Sequence, residues 1–210
     1  MRTVYIGGTK GGSGKTTTAH LLALGAILNK QPASYVLTDP LRSLKGEGRP
    51  YSVQDGRNPE RLANFIANAD TIHNGWLFID GGGNRPAFDQ ATAAEVELTI
   101  VPFKPNEEDL ETVAADLRNI PNAFALPTAW STNPKAQKAA EYLLASLSTA
   151  FPGRVIETPI YFVNSTADLL GAVLGDPSTP LRNAARRAYA AVDDAYERHM
   201  QAQGQEEAAA

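Results

Sequence analysis

The chain has 210 residues, 43% hydrophobic and 20% charged, with a formal net charge of −4 and no cysteine. That length fits one α/β domain with a substantial core, and the missing cysteines exclude disulfides, thiol nucleophiles and iron–sulfur ligation. A mildly acidic chain can bind nucleic acid only through a local basic patch, and no run here approaches the ~18 apolar residues of a membrane span.

Arg2–Ile6 reads as a short buried strand, expected to leave no room for an N-terminal leader. A glycine-rich stretch, Gly7–Thr17, follows it, and Ala19–Leu28 reads as a helix with an apolar face. Ser34–Asp39 is a second strand, stopped by Pro40, and residues 41–50 are a loop without hydrophobic period. A short strand is expected at Tyr51–Val53. Asn58 caps a helix beginning at Pro59 and running to about Ala69, with Leu62, Phe65 and Ile66 inward.

Trp76–Asp80 is a continuous apolar run ending in aspartate and then Gly81-Gly82-Gly83, the pattern of a central parallel strand. Glu97–Pro102 is another strand, Glu107–Leu117 a helix and Ala123–Trp130 a further strand. Pro134–Ala150 is a helix with Ala139, Leu143, Leu144 and Leu147 at helical spacing. Arg154–Ile160 is expected as the last strand, and Thr166–Leu174 and Pro180–Met200 as closing helices. Alternating strands and helices predict an α/β, three-layer fold: a mostly parallel twisted sheet with helices on both faces. Residues 1–200 form one domain, and the polar, alanine-rich 201–210 is expected to be a disordered tail.

The chemistry concentrates in Lys10-Gly11-Gly12-Ser13-Gly14-Lys15-Thr16-Thr17. Strand, glycine loop and helix is the setting of a phosphate-binding loop, in which backbone N–H groups turn around a phosphate at a helix N-terminus. Lys15 can reach terminal phosphates and the Thr16 hydroxyl can ligate Mg²⁺. The strict pattern G-x-x-x-x-G-K-[ST] fails by one residue, because Thr9 stands at the first glycine. Asp39 and Asp80 end strands whose C-terminal ends gather beside that loop, where carboxylates can hold Mg²⁺ and position water.

The stretch resembles the deviant Walker A motif, KGGxGK[ST]T, of the ParA/MinD family of P-loop ATPases, with Lys10 as the signature lysine. Length and motif order are most similar to the small plasmid-partition members. The resemblance implies a P-loop NTPase fold, ATP and Mg²⁺ as cofactors, and ATP hydrolysis. It implies that Lys10 reaches the nucleotide of a partner subunit and that Gly11, Gly12, Ser13, Gly14, Lys15, Thr16 and Thr17 cradle the phosphates. Thr38-Asp39-Pro40 resembles the end of the D-x-D-P switch I motif, so Asp39 orients the hydrolytic water. Leu37 replaces the first aspartate of that motif, and Leu41 replaces a common glutamine.

Asp80 with its glycines resembles Walker B and switch II, implying support of Mg²⁺ beside Thr16 and Asp39. Val101–Leu110 resembles a strand-to-helix segment near the family's dimer face, and Asn133, Pro159 and Ile160 fall where relatives hold the base. Basic residues of the last helix, Arg182, Arg186 and Arg187, are candidates for non-specific DNA contact, with Lys135, Lys138 and Arg154 next. The implied function is an ATP-dependent homodimer that partitions a plasmid or positions another cargo. A small centromere-binding or adaptor protein would stimulate its ATPase. The location implied is cytoplasmic, nucleoid-associated in the ATP state, without a membrane. Rival readings are a MinD-like membrane-surface switch and a metabolic P-loop ligase. The acidic Gln205-Glu206-Glu207 speaks against the first, and Lys10 against the second.

Overall fold

The computed structural model describes residues 1–69, 71–72, 74–82 and 85–209, so Gly83 of the switch II stretch lies outside the described residues. Six strands form one sheet: β1 (Arg2–Ile6), β2 (Ala33–Leu37), β3 (Ser52–Asp55), β4 (Trp76–Asp80), β5 (Leu98–Phe103) and β6 (Ala123–Pro127). Their order is β3-β2-β4-β1-β5-β6, every pairing parallel. Among the described residues six α-helices accompany them: α1 (Lys15–Leu28), α2 (Pro59–Ala69), α3 (Pro86–Ala94), α4 (Glu107–Asn119), α5 (Pro134–Ala150) and α6 (Thr179–Ala209). A 3₁₀ helix spans Asn164–Leu170.

Side chains alternate across each strand, so the apolar runs feed two cores at once. Val4, Ile6, Trp76, Phe78, Leu98 and Ile100 face α1 and α6. Tyr5, Leu77, Ile79, Val101 and Phe103 face the core under α2, α3, α4 and α5. Trp76 is fully buried, and its indole N–H donates to the Tyr189 hydroxyl of α6 at 3.0 Å. Gly25 lets α6 lie directly on α1, since a Cβ there would sit 2.2 Å from the Ala185 carbonyl oxygen.

Four expectations are corrected. Arg154–Ile160 is not a strand. It meets β6 at the Ala125–Val155 bridge and again where Ile160 N–H donates to the Pro127 carbonyl, without a continuous ladder, while the Arg154 guanidinium takes the Ala123 and Ile120 carbonyls at 2.9 and 2.6 Å, and Pro159 lacks a ladder donor. β6 stops at Pro127 because the chain turns at Ala129, with φ 52°. α5 spans Pro134–Ala150 as expected, with Ala140 and Leu147 buried, Leu143 and Leu144 half-buried and Ala139 exposed. The expected disordered tail is helical as far as Ala209, since Ala, Gln and Glu extend a helix even where exposed. α3 is an addition: its Pro-Ala-Phe-Asp-Gln-Ala-Thr-Ala-Ala carries too few large apolar residues to signal a helix. The segment 166–174 is 3₁₀ helix to Leu170 and irregular beyond.

Candidate functional site

β1 ends at Ile6 in the sheet's centre, and the chain rises from it into the glycine loop that opens α1. Gly12 and Gly14 have φ of 73° and 97°, the left-handed backbone that bends the loop back over α1. A Cβ at Gly11, Gly12 or Gly14 would meet nothing within 4 Å, so open space lies beside the loop. No side chain caps the N-terminus of α1, and its first turn carries no acid. Those end-on N–H groups and the helix dipole suit an anion. Thr9, the residue out of pattern, has a structural use: its N–H and hydroxyl both donate to Asp116 of α4 at 3.0 Å, pinning the loop's entrance.

The two lysines differ. Lys15 is buried, donates to the Lys10 carbonyl at 2.8 Å, and has its pKa lowered by burial against the opposing fields of Asp89, Asp80 and Asp116. Lys10 is half-exposed and its ammonium is held by Asp109 at 2.6 Å and Glu108 at 2.7 Å of its own chain, which raise its pKa. Asn106 caps α4 by accepting from Asp109 N–H, and Asp109 in turn accepts from Lys104 N–H. The Val101–Leu110 segment is thereby a plain helix start that also ties down Lys10.

Asp80 sits at the end of β4, buried, and accepts from Thr16 Oγ1 at 3.2 Å and from the Tyr35 hydroxyl at 2.6 Å. Burial pushes its carboxyl up to about 6, although both hydrogen bonds favour the anion. Thr38 Oγ1 donates to the Asp80 carbonyl at 2.7 Å, and Arg85 donates to the Thr38 carbonyl at 2.9 Å, so the loops after β2 and β4 are joined. Asp39 lies two residues beyond β2, accepting from Leu41 N–H and paired with Arg42 at 3.3 Å. Leu37 is buried, and Leu41 is 94% exposed. The hydroxyl and carboxylate of Thr16 and Asp80 are the hard oxygen donors that Mg²⁺ takes, and the open glycine cradle fits a polyphosphate.

No protein-family model and no curated protein sequence matches the chain. Solved structures do. MinD cell division protein from Aquifex aeolicus matches with a TM-score of 0.70 at 13% identity, over 92% of this chain and 97% of that one. A plasmid partition protein from Borrelia burgdorferi, bound to AMPPNP, gives 0.63 at 12% identity over 92% and 98%. Cobyrinic acid a,c-diamide synthase from Mycobacterium smegmatis, with ADP and magnesium, gives 0.60 at 17% identity over 79% and 89%. The chain has the MinD fold. That fold is shared by a cell-division protein, a partition protein and a synthase, so it fixes the architecture and leaves the reaction to the side chains.

On this MinD fold the remaining sequence candidates are spread out. Asn133 is exposed and spends its side chain capping α5, accepting from Lys135 N–H and Ala136 N–H. It does not line the cavity of about 150 Å³ that opens beside Ser13, Gly14 and Thr17. Ile160, Phe162 and Val163 line that cavity instead, with Pro159 one residue short of it. The sequence points to Ile160 together with Pro159, whereas Phe162 and Val163, apolar residues in a loop, carry no sequence signal for a site. Arg182 is paired with Asp176, whereas Arg186 and Arg187 are exposed on α6 beside a groove that includes Tyr161, over whose ring Arg187 lies at 5.4 Å.

Proposed function

We propose that the protein is a Mg²⁺-dependent ATPase switch that dimerises on ATP. The observation that carries this reading is one constellation at the centre of the sheet: the open glycine cradle, buried Lys15, the Thr16–Asp80 pair and an additional Lys10 beside them. Bound MgATP supplies the phosphoanhydride and the cation that draws charge from it. The N–H groups of Gly12, Ser13 and Gly14 and of Thr17 in the first helical turn orient the phosphates. Lys15 moves its ammonium from the Lys10 carbonyl to the β/γ oxygens. Thr16 and Asp80 would hold the metal, Asp80 as the anion, with Asp39, beyond the neighbouring strand β2, as a further oxygen donor. Asp39 leaves Arg42 to accept a proton from the attacking water. Ile160, Phe162 and Val163 take the base.

Lys10 joins the subunits by exchanging Glu108 and Asp109 for the partner's phosphates. In the dimer, Arg186 and Arg187 offer cations beside the Tyr161 ring to a DNA backbone, without reading sequence. The cargo is a plasmid or another large body, and a small DNA-binding or adaptor protein stimulates hydrolysis. Among the described residues no helix is long and apolar enough to cross a membrane. The deciding experiment compares binding of a fluorescent ATP analogue to wild type and Lys15→Ala. Affinity should fall on the order of a hundredfold, because a buried charge-assisted contact to phosphate is lost. Unchanged affinity would overturn the reading.

A further inference from the structure

A second cavity, of about 210 Å³, lies across Thr16 from the glycine cradle, between α1, β2 and the loop after Asp39. Thr16, His20 and Tyr35 wall it, and Arg42, Ser43 and Lys45 form its rim. Three leucines complete it, and no acidic side chain is among the lining residues described.

His20 is the unexpected member. It is only 5% exposed, its ring stacks on Tyr35 with centroids 3.9 Å apart, and its Nδ1 lies 3.0 Å from the Tyr51 hydroxyl. Burial, with Arg49, Arg42 and Lys45 around it, pushes its pKa down to about 3, so the ring is neutral. The Arg49 charge beside Tyr51 draws the phenol's lone pairs toward itself and turns its proton toward His20 Nδ1. The imidazole proton is then on Nε2, and Nε2 has no hydrogen-bond partner among the described residues. An N–H donor on a residue that walls a cavity rimmed by two cations suits an anionic acceptor. The rim cations are anchored rather than free to swing away: Arg42 to Asp39, and Lys45 to the Leu170 carbonyl at 2.7 Å.

We propose that this cavity binds the oxyanion group, carboxylate or phosphate, of a second small ligand, with His20 Nε2–H, Arg42 and Lys45 as its donors. The leucine wall favours a ligand with a short apolar body attached to that group. Its position beside the nucleotide rests on the phosphate-loop reading above, but the donor set does not. A ligand seated there touches Thr16 and the Asp39 loop together, so it reports to the metal corner through one hydroxyl.

The test follows His20 by long-range ¹H–¹⁵N correlation in the full chain saturated with MgADP, using His20→Gln to assign the signal. Inorganic phosphate, acetate and butyrate are titrated separately. The Nε2 signal should move saturably, with butyrate binding more tightly than acetate if the leucines are used, and phosphate marking the other oxyanion source. The double variant Arg42→Gln/Lys45→Gln should weaken the apparent Kd roughly tenfold, the loss of two charged donors at a semi-exposed site. Its ADP affinity, read by fluorescent displacement, should stay near wild type. A silent His20, an unchanged Kd in the double variant, or a response abolished by MgADP would each overturn the proposal. The last would mean that the probe had entered the nucleotide cradle. If ADP itself fails to bind wild type, the nucleotide reading falls, while the same titration without nucleotide still decides the anion site.

Discussion

Two corners flank the glycine loop, and they are built differently. On one side Lys15, Thr16 and Asp80 are held by Tyr35 and the ends of β1, β2 and β4, with Asp80 almost wholly out of water. By contrast Lys10, held toward α4, and Asp39, just beyond β2, are at least partly exposed, and each is engaged with a neighbour that it must leave to act: Glu108 and Asp109 for Lys10, Arg42 for Asp39. A corner that is fixed before any ligand arrives can bind with little reorganisation. Groups in exposed pairs that exchange partners cheaply suit steps that must depend on state. The contrast assigns binding to the first corner and switching to the second.

The largest expected effect lies at Asp80. Its folded-state pKa of about 6 stands above the unfolded 3.8, so the folded protein holds more protons between those values. Stability therefore falls as pH rises from ~4 to ~6, by on the order of 2 kcal/mol, as a buried carboxylate is forced to ionise. Chemical denaturation of Asp80→Asn should lose that pH dependence, and its Mg²⁺-dependent gain in ATP affinity should vanish. A variant that keeps both would mean the corner is not organised around this carboxylate.

At the switching corner, Asp39→Ala should bind ATP within about threefold of wild type but hydrolyse it roughly a hundredfold more slowly, the usual range for a lost proton acceptor. Single-turnover assays distinguish this from a binding defect. Equal losses in binding and turnover would erase the distinction between the corners. DNA retention comes next: Arg186→Glu/Arg187→Glu should lose roughly tenfold at moderate salt, and Arg182→Glu less, since Arg182 is already paired with Asp176. A filter-binding salt series measures the slope for each. The smallest effect is expected for Glu108→Gln, which removes one exposed partner of Lys10 and should tighten the ATP dimer roughly two- to threefold.

The fixed corner was legible in the sequence, because its parts are local and patterned. An apolar run ending in Asp80 and a glycine loop leading into Thr16 specify both their backbone and their place at the sheet's edge. The sheet's parallel character was legible for the same reason. What escaped was what depends on partners distant in sequence. Asp109 and Glu108 lie about a hundred residues from Lys10, and only the β5–α4 turn brings them to it. Thr9 read as a departure from pattern until Asp116 was found receiving its two donors. Asn133 scored as a ligand residue although its spacing before Pro134 is that of an N-cap, and the cap prevailed. The segment before the 3₁₀ helix looked like a strand by its apolar content, but it bonds β6 only around Val155 and again at Ile160, and Pro159 just before Ile160 has no N–H for a ladder.

The central claim is that Lys10 acts across a dimer and Lys15 within one chain. Size-exclusion chromatography with light scattering on wild type and Lys10→Ala, each in ATP and in ADP, tests it most directly. Wild type should be a dimer in ATP and a monomer in ADP, while Lys10→Ala, with ATP affinity nearly unchanged, should remain monomeric in both. A Lys10→Ala dimer in ATP as tight as wild type would contradict the account and leave Lys10 a loop lysine held by its own chain's acids.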